Sequence, residues 1–178
     1  MGGLIGQKDL FNKKRYTAYC TNDMIVKAIS REKANEIIRN NHYSHTIVNN
    51  SYAYYGLFYK DVLVGASSWG YALNPSSGKN IIPETANDEY MELNRLWVDD
   101  CMPRNTESQY ISGCIKLIKH HYPKVGWIQS FADERCGGKG VMYQACNFVY
   151  VGSHKSTFIE FEGCMYHNIA FTRFSKIA

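Results

Sequence analysis

The alternation of apolar and polar residues predicts strands in the middle of the chain. Tyr52–Tyr59 and Val62–Tyr71 are rich in β-branched and aromatic residues, and only Lys60-Asp61 separates them, which is typical of a β-hairpin. Glu89–Val98 has the same character and predicts a further strand. The short apolar run Val125–Phe131 predicts a central, buried strand.

A different spacing, with apolar residues three or four positions apart, predicts three helices. The first begins at Ser30, a typical N-cap residue, and ends near Asn40-Asn41. The second runs from about Asn105 to His121, and a glycine-rich loop leads into the third, Val141 to Cys146. Helices and strands in this order predict an α/β fold in the broad sense, an α+β mixed sheet with helices on both faces.

Less regular segments complete the picture. Asn74–Asn87 contains two prolines and predicts a long loop. Val149–Gly152 and Thr157–Phe161 predict closing strands, and Met165–Phe174 predicts another.

The chain length predicts one domain. The 178 residues bury a sizeable core without help from a metal or a disulfide. Within that domain we expect an N-terminal extension (1–29), a core (30–160) and a C-terminal tail (161–178).

Composition excludes several classes of protein. A chain with 45% hydrophobic and 20% charged residues is not intrinsically disordered. A formal net charge of +4 is compatible with a polyanionic partner but does not require one. The six cysteines form no C-x-x-C pair, and neither a signal peptide nor a membrane-spanning apolar run is evident. We therefore expect a cytoplasmic protein with reduced thiols.

The loop before the second helix is the first candidate site. Free N–H groups at a helix N-terminus attract anions such as a pyrophosphate. The guanidinium of Arg104 adds a positive charge and further hydrogen-bond donors. Asn105, Thr106 and Ser108 complete this candidate site. The alternative is that Asn105 only caps the helix.

The loop between Ser130 and Tyr143 is the second candidate. It follows a predicted buried strand, and Asp133 in it is a candidate general base or hydrogen-bond acceptor. The alternative is that Asp133 only accepts backbone N–H bonds within a turn.

Histidines form the third candidate. His42 and His45, with a carboxylate such as Asp133, have the composition of a non-haem iron site, although histidines packed in the core or exposed to solvent fit the same pattern. The basic segment Lys13-Lys14-Arg15 is either a phosphate contact or a solvated surface.

Several motifs occur together between Glu92 and Gly152. They read E-L-N-R-L-W-V-D-D, P-R-N-T-E-S, S-F-A-D and G-x-x-Y-Q-A-x-N-F-x-Y-x-G in this order. This combination resembles the phage Mom family of DNA adenine-modification proteins. The resemblance is clearest over residues 89 to 155.

The resemblance implies a fold like that of the GCN5-related N-acetyltransferases. It also implies double-stranded DNA as the partner and a carbamoylmethyl group on the exocyclic nitrogen of adenine as the product, which protects phage DNA from restriction in the host cytoplasm. Acetyl-coenzyme A and iron are the implied cofactors. The chain departs from ordinary acetyltransferases in one respect, because P-R-N-T-E-S replaces their glycine-containing pyrophosphate loop.

With adenine in DNA as substrate, the candidate residues acquire roles. An enzyme that acts on the amino group of adenine has to flip the base out of the duplex. Tyr43, Trp69 and Tyr143 are then candidates for stacking on the base, Ser130 and Asp133 for holding or deprotonating the amino group, and His42 for a second base or an iron ligand. The expected phosphate contacts are Lys13, Lys14, Arg15, Arg135 and Lys139.

Two other functions fit the same residues. One is an acetyl-coenzyme A-dependent N-acetyltransferase that acts on a small molecule or a protein amine. The other is a binding protein that has kept the fold and lost the chemistry. Fold alone does not separate these alternatives.

Overall fold

A computed structural model describes residues 18–20, 23–74, 76–133, 139–153, 158–161 and 164–167. The chain divides into two compact units, Met1–Phe148 and Val149–Ala178.

The first unit contains six strands and four helices within its described residues. The strands are β1 (Ala18–Tyr19), β2 (Met24–Ala28), β3 (Ser51–Tyr59), β4 (Val62–Gly70), β5 (Tyr90–Val98) and β6 (Trp127–Gln129). The helices are α1 (Arg31–Asn41), α2 (Ser76–Ile81), α3 (Thr106–His121) and α4 (Val141–Ala145). In that part of the chain, no helix is long and apolar enough to cross a membrane.

The six strands form one mixed sheet in the order β1-β2-β3-β4-β5-β6. Each pair of neighbours from β1 to β5 is antiparallel, whereas β5 and β6 are parallel. The sheet therefore includes β1 and β2, which precede Ser30. The prediction that Val125–Phe131 forms a central strand is wrong for the described sheet, where β6 is the last strand. A short apolar run does not reveal its position in a sheet, and Trp127 packs by stacking on Tyr90.

Helices cover both faces of the sheet, as predicted. Alternate residues of β3 point to opposite faces: Ala53, Tyr55 and Leu57 pack with α3, whereas Tyr54 packs with Ala34 of α1. Helix α1 begins at Ser30, whose hydroxyl accepts the Lys33 N–H, so the predicted N-cap is confirmed. The predicted hairpin and the strand at β5 are confirmed as well.

The segment Asn74–Asn87 is not simply a loop. It contains α2, whose start is stabilised where Asn74 Oδ1 accepts the Ser76 N–H. Gly78 of this helix is buried against the ring of Tyr90, and a Cβ there would clash with that ring. The turn residues that predicted a loop therefore begin a helix that packs on the sheet.

The second unit contains a small antiparallel hairpin of β7 (Phe158–Phe161) and β8 (Cys164–His167). The predicted strand at Thr157–Phe161 is thus confirmed over its described part. Val149–Gly152 is irregular, so that predicted strand is wrong. The predicted strand at Met165–Phe174 is confirmed to His167, and its remainder lies outside the described residues.

Candidate active site

The two parallel strands separate at one end of the sheet. Their paired residues run from Tyr90 and Trp127 to Glu92 and Gln129, after which β6 ends while β5 continues to Val98. We call the region beyond this last pair the opening; it lies at the carboxyl ends of neighbouring strands, the usual place for ligands in such sheets. The predicted catalytic loop, which begins at Ser130, leaves the sheet at this opening.

His42 lies at the end of α1 and is only 6% exposed. Its Nδ1 accepts the Ser44 N–H at 3.1 Å and lies 2.9 Å from the Ser44 hydroxyl. Because Nδ1 is an acceptor in this hydrogen-bond network, the neutral ring carries its proton on Nε2. The arrangement favours a hydrogen-bond donor over the general base considered for this residue.

The charge state of His42 follows from its surroundings. Burial, together with smaller contributions from the nearby Arg95 and His45, lowers its pKa to about 4. The ring is therefore neutral at physiological pH.

His42 should make the stability of the fold pH-dependent. The unfolded chain takes up a proton near pH 6.5 and the native chain only near pH 4, so acid favours the unfolded state between these values. We expect His42 to account for a loss of about 2 kcal/mol between about pH 7 and pH 5, measured by urea unfolding. His42→Asn, which keeps an acceptor near the Nδ1 position, should flatten this dependence. If the free energy of unfolding changed with pH in the same way for the wild type and His42→Asn, the result would contradict the role of His42 in this pH dependence.

Arg95 is a candidate functional residue that sequence reasoning missed. Its Nε and Nη2 donate to the carbonyl and hydroxyl oxygens of Thr46, both at 3.1 Å, and its Nη1 donates to the Asn94 carbonyl at 2.7 Å. Of the five guanidinium N–H groups, two remain, and Arg95 forms no ion pair within the described residues. A positioned, half-buried guanidinium of this kind suits an anion. The available signal was a charged residue inside a buried strand.

Aromatic rings lie on the same side of the opening as Arg95. Tyr43 is 63% exposed, packs against His42 at a centroid distance of 4.3 Å, and influences the pKa of both Arg95 and Tyr143. Trp69 is fully buried and its Nε1 donates to Ser67 Oγ, so the hypothesis that Trp69 stacks on a base is wrong.

Tyr143 has a mixed character. Its half-buried ring packs against Phe148 and the main core, and burial raises the pKa of its hydroxyl. That hydroxyl reaches the Phe131 carbonyl at 3.5 Å and lies near Ser130. The packing of the ring fits the core interpretation of Tyr143, and its stacking on a base stays a prediction.

A row of buried or half-buried polar side chains lies at the inner end of the opening. We call this row the polar line; it consists of Ser51, Ser77, Glu92, Asn94 and Gln129. Glu92 Oε2 accepts Gln129 Nε2 at 2.7 Å, and the same nitrogen lies 3.0 Å from Ser77 Oγ. Asn94 Nδ2 donates to Ser51 Oγ at 3.0 Å. Burial raises the pKa of Glu92, while the Gln129 amide opposes that shift. Sequence reasoning missed these residues because they lie far apart in the sequence. Only the register of the paired strands brings them together.

The chain is similar to known proteins in both its sequence and its fold. The model of the Mom protein family matches residues 23–177. The chain belongs to the Mom family. A Mom relative, methylcarbamoylase mom of Escherichia phage Mu, is 54% identical over 151 residues, which are 85% of this chain and 63% of that protein. The chain thus spans less than two thirds of this relative's length.

Two solved structures similar to this Mom-family chain are described as an acetyltransferase or a possible acetyltransferase. One is a possible acetyltransferase from Clostridium difficile 630, with 12% identity and a TM-score of 0.51, over 79% of this chain and 98% of that one. Another is an aminoglycoside acetyltransferase from an uncultured soil metagenomic sample, with 8% identity and a TM-score of 0.56, over 81% and 100%. At such identities the likeness shows the acetyltransferase fold alone, which confirms the predicted fold class.

The predicted iron ligands of this Mom-family chain do not fit a metal site. Nowhere in the described part of the chain do three His, Cys, Asp or Glu side chains form a group that could hold a metal ion. His42, His45 and Asp133 are all described, so the trio is not assembled. His42 uses Nδ1 for Ser44, and His45 Nδ1 lies 2.8 Å from the Arg39 carbonyl.

The N-terminus of α3 retains the features of an anion site. Asn105 has a left-handed backbone (φ 68°) and forms no side-chain cap, so the capping alternative is wrong. The hydroxyls of Thr106 and Ser108 donate backwards, to the Pro103 and Asn105 carbonyls. Within the described residues the N–H groups of Glu107 and Ser108 have no partner, and Arg104 is exposed beside them.

Of the other predicted residues, Asp133 and Lys139 lie within the described part of the chain. Asp133 is half-buried in the loop that leaves β6, and Lys139 is exposed. The predicted phosphate contacts Lys13, Lys14, Arg15 and Arg135 lie outside the described residues.

Proposed function

We propose that this chain modifies adenine in double-stranded DNA by adding a carbamoylmethyl group to the exocyclic N6. The observation that carries the proposal is Arg95, a positioned guanidinium with two unused N–H groups beside an exposed aromatic ring at the opening of the sheet. The phage Mu relative, named a methylcarbamoylase, supports the same chemistry. Such a modification would protect phage DNA from restriction in the host cytoplasm.

The geometry suits a base that has been flipped out of the duplex. Flipping costs a few kcal/mol, which contacts with the protein have to offset. The exposed side chain of Tyr43 is our candidate for stacking on the base, and the Arg95 guanidinium would bind the adjacent phosphate. Lys13, Lys14, Arg15, Arg135 and Lys139 would supply further phosphate contacts. The neutral His42 would donate a hydrogen bond through Nε2.

The transfer step requires a base because the N6 lone pair is delocalised into the adenine ring. A bond forms between N6 and the methylene carbon of a donor that carries the carbamoylmethyl group. The bond from that carbon to its leaving group breaks, and the leaving group departs with the electron pair. One N6 proton passes to Asp133, which we propose as the general base, with Ser130 and Tyr143 positioning the amino group.

Acetyl-coenzyme A is a candidate ligand at the N-terminus of α3. The unpaired N–H groups of Glu107 and Ser108, together with Arg104, would bind its pyrophosphate. Asn105 and Thr106 shape this turn. The same feature favours the second candidate function, an N-acetyltransferase for a small molecule or a protein amine.

Mass spectrometry of nucleosides tests the proposal. Plasmid DNA from cells that express the wild-type protein should yield deoxyadenosine with the added mass of a carbamoylmethyl group. DNA from cells with Asp133→Asn should lack this species, although the variant is soluble and folded. An acetyl-sized addition would instead favour acetyl transfer to DNA. Unmodified DNA from cells with soluble wild-type protein would contradict the proposed function.

A further inference from the structure

Two buried carbonyl oxygens are unpaired where β5 and β6 part. Asn94 and Gln129 are 7% and 6% exposed, and neither Asn94 Oδ1 nor Gln129 Oε1 has a hydrogen-bond partner within the described residues. An unpaired buried acceptor costs about 1–3 kcal/mol, and nearly all such atoms in proteins are paired. Both oxygens therefore favour a partner with N–H or O–H groups.

The orientation of Gln129 follows from its neighbours. Its Nε2 donates to Glu92 Oε2 at 2.7 Å, and Glu92 also accepts the Leu73 N–H. A flipped amide would direct Gln129 Oε1 at the Glu92 carboxylate, which repels it. Glu92 is thus a positioning residue that keeps Gln129 Oε1 free.

Strand register places the second oxygen on the same polar line. Glu92 lies opposite Gln129 on one side and Gly70 on the other, and Gly70 lies opposite Ser51. Asn94 Nδ2 reaches across to Ser51 Oγ, which leaves its own oxygen unpaired. Gln129 and the Asn94 side chain thus both contact residues of this one row of paired positions.

We propose that Asn94 Oδ1 and Gln129 Oε1 bind the N–H groups of a primary carboxamide on the group that is transferred. This inference rests on the proposed function, in which that group ends in a carbamoyl unit. An acetyl group has no N–H donor and would leave both oxygens unpaired, so the site selects an amide-bearing donor. Both oxygens are closed to solvent, so a ligand reaches them only when the segments beyond Glu92 and Gln129, which form no described backbone pairing with each other, move aside.

Ligand-observed NMR on the full chain tests this site with acetamide as the probe. N,N-dimethylacetamide is the matched control because it keeps the carbonyl and lacks N–H donors. Acetamide should bind saturably in the millimolar range, and dimethylacetamide should bind at least about tenfold more weakly. Equal binding of the two amides, or no binding of either, would overturn the proposal.

Variants at Asn94 test whether Asn94 Oδ1 is an atom that binds acetamide. Asn94→Leu should weaken acetamide binding at least about tenfold, whereas Asn94→Asp keeps acceptor oxygens and should retain binding. Asn41→Leu, on the exposed surface of α1, should change nothing. Unchanged binding in a folded Asn94→Leu would overturn the role of Asn94. If that variant does not fold, the comparison of the two amides on the wild-type protein still decides.

Adenine products measured in parallel separate this inference from the proposed function. Carbamoylmethylated DNA without selective acetamide binding would overturn the site and leave the function standing. Selective acetamide binding with unmodified DNA would support the site and overturn the function.

Discussion

Arg95→Lys should lower the yield of modified adenine at least about 100-fold. Lysine carries three donors on one nitrogen and lacks the planar fork, so it does not hold Thr46 and an anion at once. Two lost hydrogen bonds to a charged group are worth about 3 kcal/mol or more, which corresponds to this factor. The measurement is the fraction of modified deoxyadenosine in plasmid DNA from cells with equal amounts of soluble protein.

Arg31→Lys is the matched control, because Arg31 is exposed at the start of α1. It should modify DNA as the wild type does. Thermal unfolding of both variants would show whether the loss of the Thr46 contacts affects only the site. Wild-type yield from a folded Arg95→Lys would remove Arg95 from the mechanism.

Gly70→Ala should destabilise the fold by about 3 kcal/mol or more. A Cβ at Gly70 would clash with the Asn50 carbonyl oxygen and the Ser51 Cα, and both are backbone atoms that cannot rotate away. Substitutions that overpack a core cost about 1–3 kcal/mol, and a clash with backbone lies at the upper end. Urea unfolding measures the change.

A second glycine provides the control for this substitution. At Gly126 the nearest atom to an added Cβ is the Glu89 carbonyl oxygen at 3.7 Å, which is ordinary contact. Gly126→Ala should therefore lie within about 0.5 kcal/mol of the wild type. Equal effects of the two substitutions would show that Gly70 is not tightly enclosed.

Local patterns predicted much of the fold. The Ser30 cap, the hairpin around Lys60-Asp61 and the apolar stripe of α3 are each determined by residues close together in sequence. The helix α2 and the edge position of β6 depend on contacts between distant segments, such as Gly78 with Tyr90. A pattern within one segment does not contain that information.

The candidate site was predictable only in part. The loops after β6 and before α3 were indicated by their position at strand and helix ends. Arg95 and Glu92 were hidden inside a strand motif, and their role depends on the register that brings Thr46 and Gln129 to them. The tautomer of the neutral His42 ring depends on the backbone N–H of Ser44, a contact that composition does not reveal.

The two sides of the opening are attached to the sheet with unequal strength. Arg95 lies on β5, which pairs with β4 from Glu92 to Val98, whereas Ser130 and Asp133 follow a strand held by three residue pairs. Regions with few backbone hydrogen bonds unfold locally at a lower free energy than the body of a sheet. The side that carries the proposed base can thus fray and re-form while the side that carries the guanidinium stays folded. Substrate entry and product release therefore need no global unfolding.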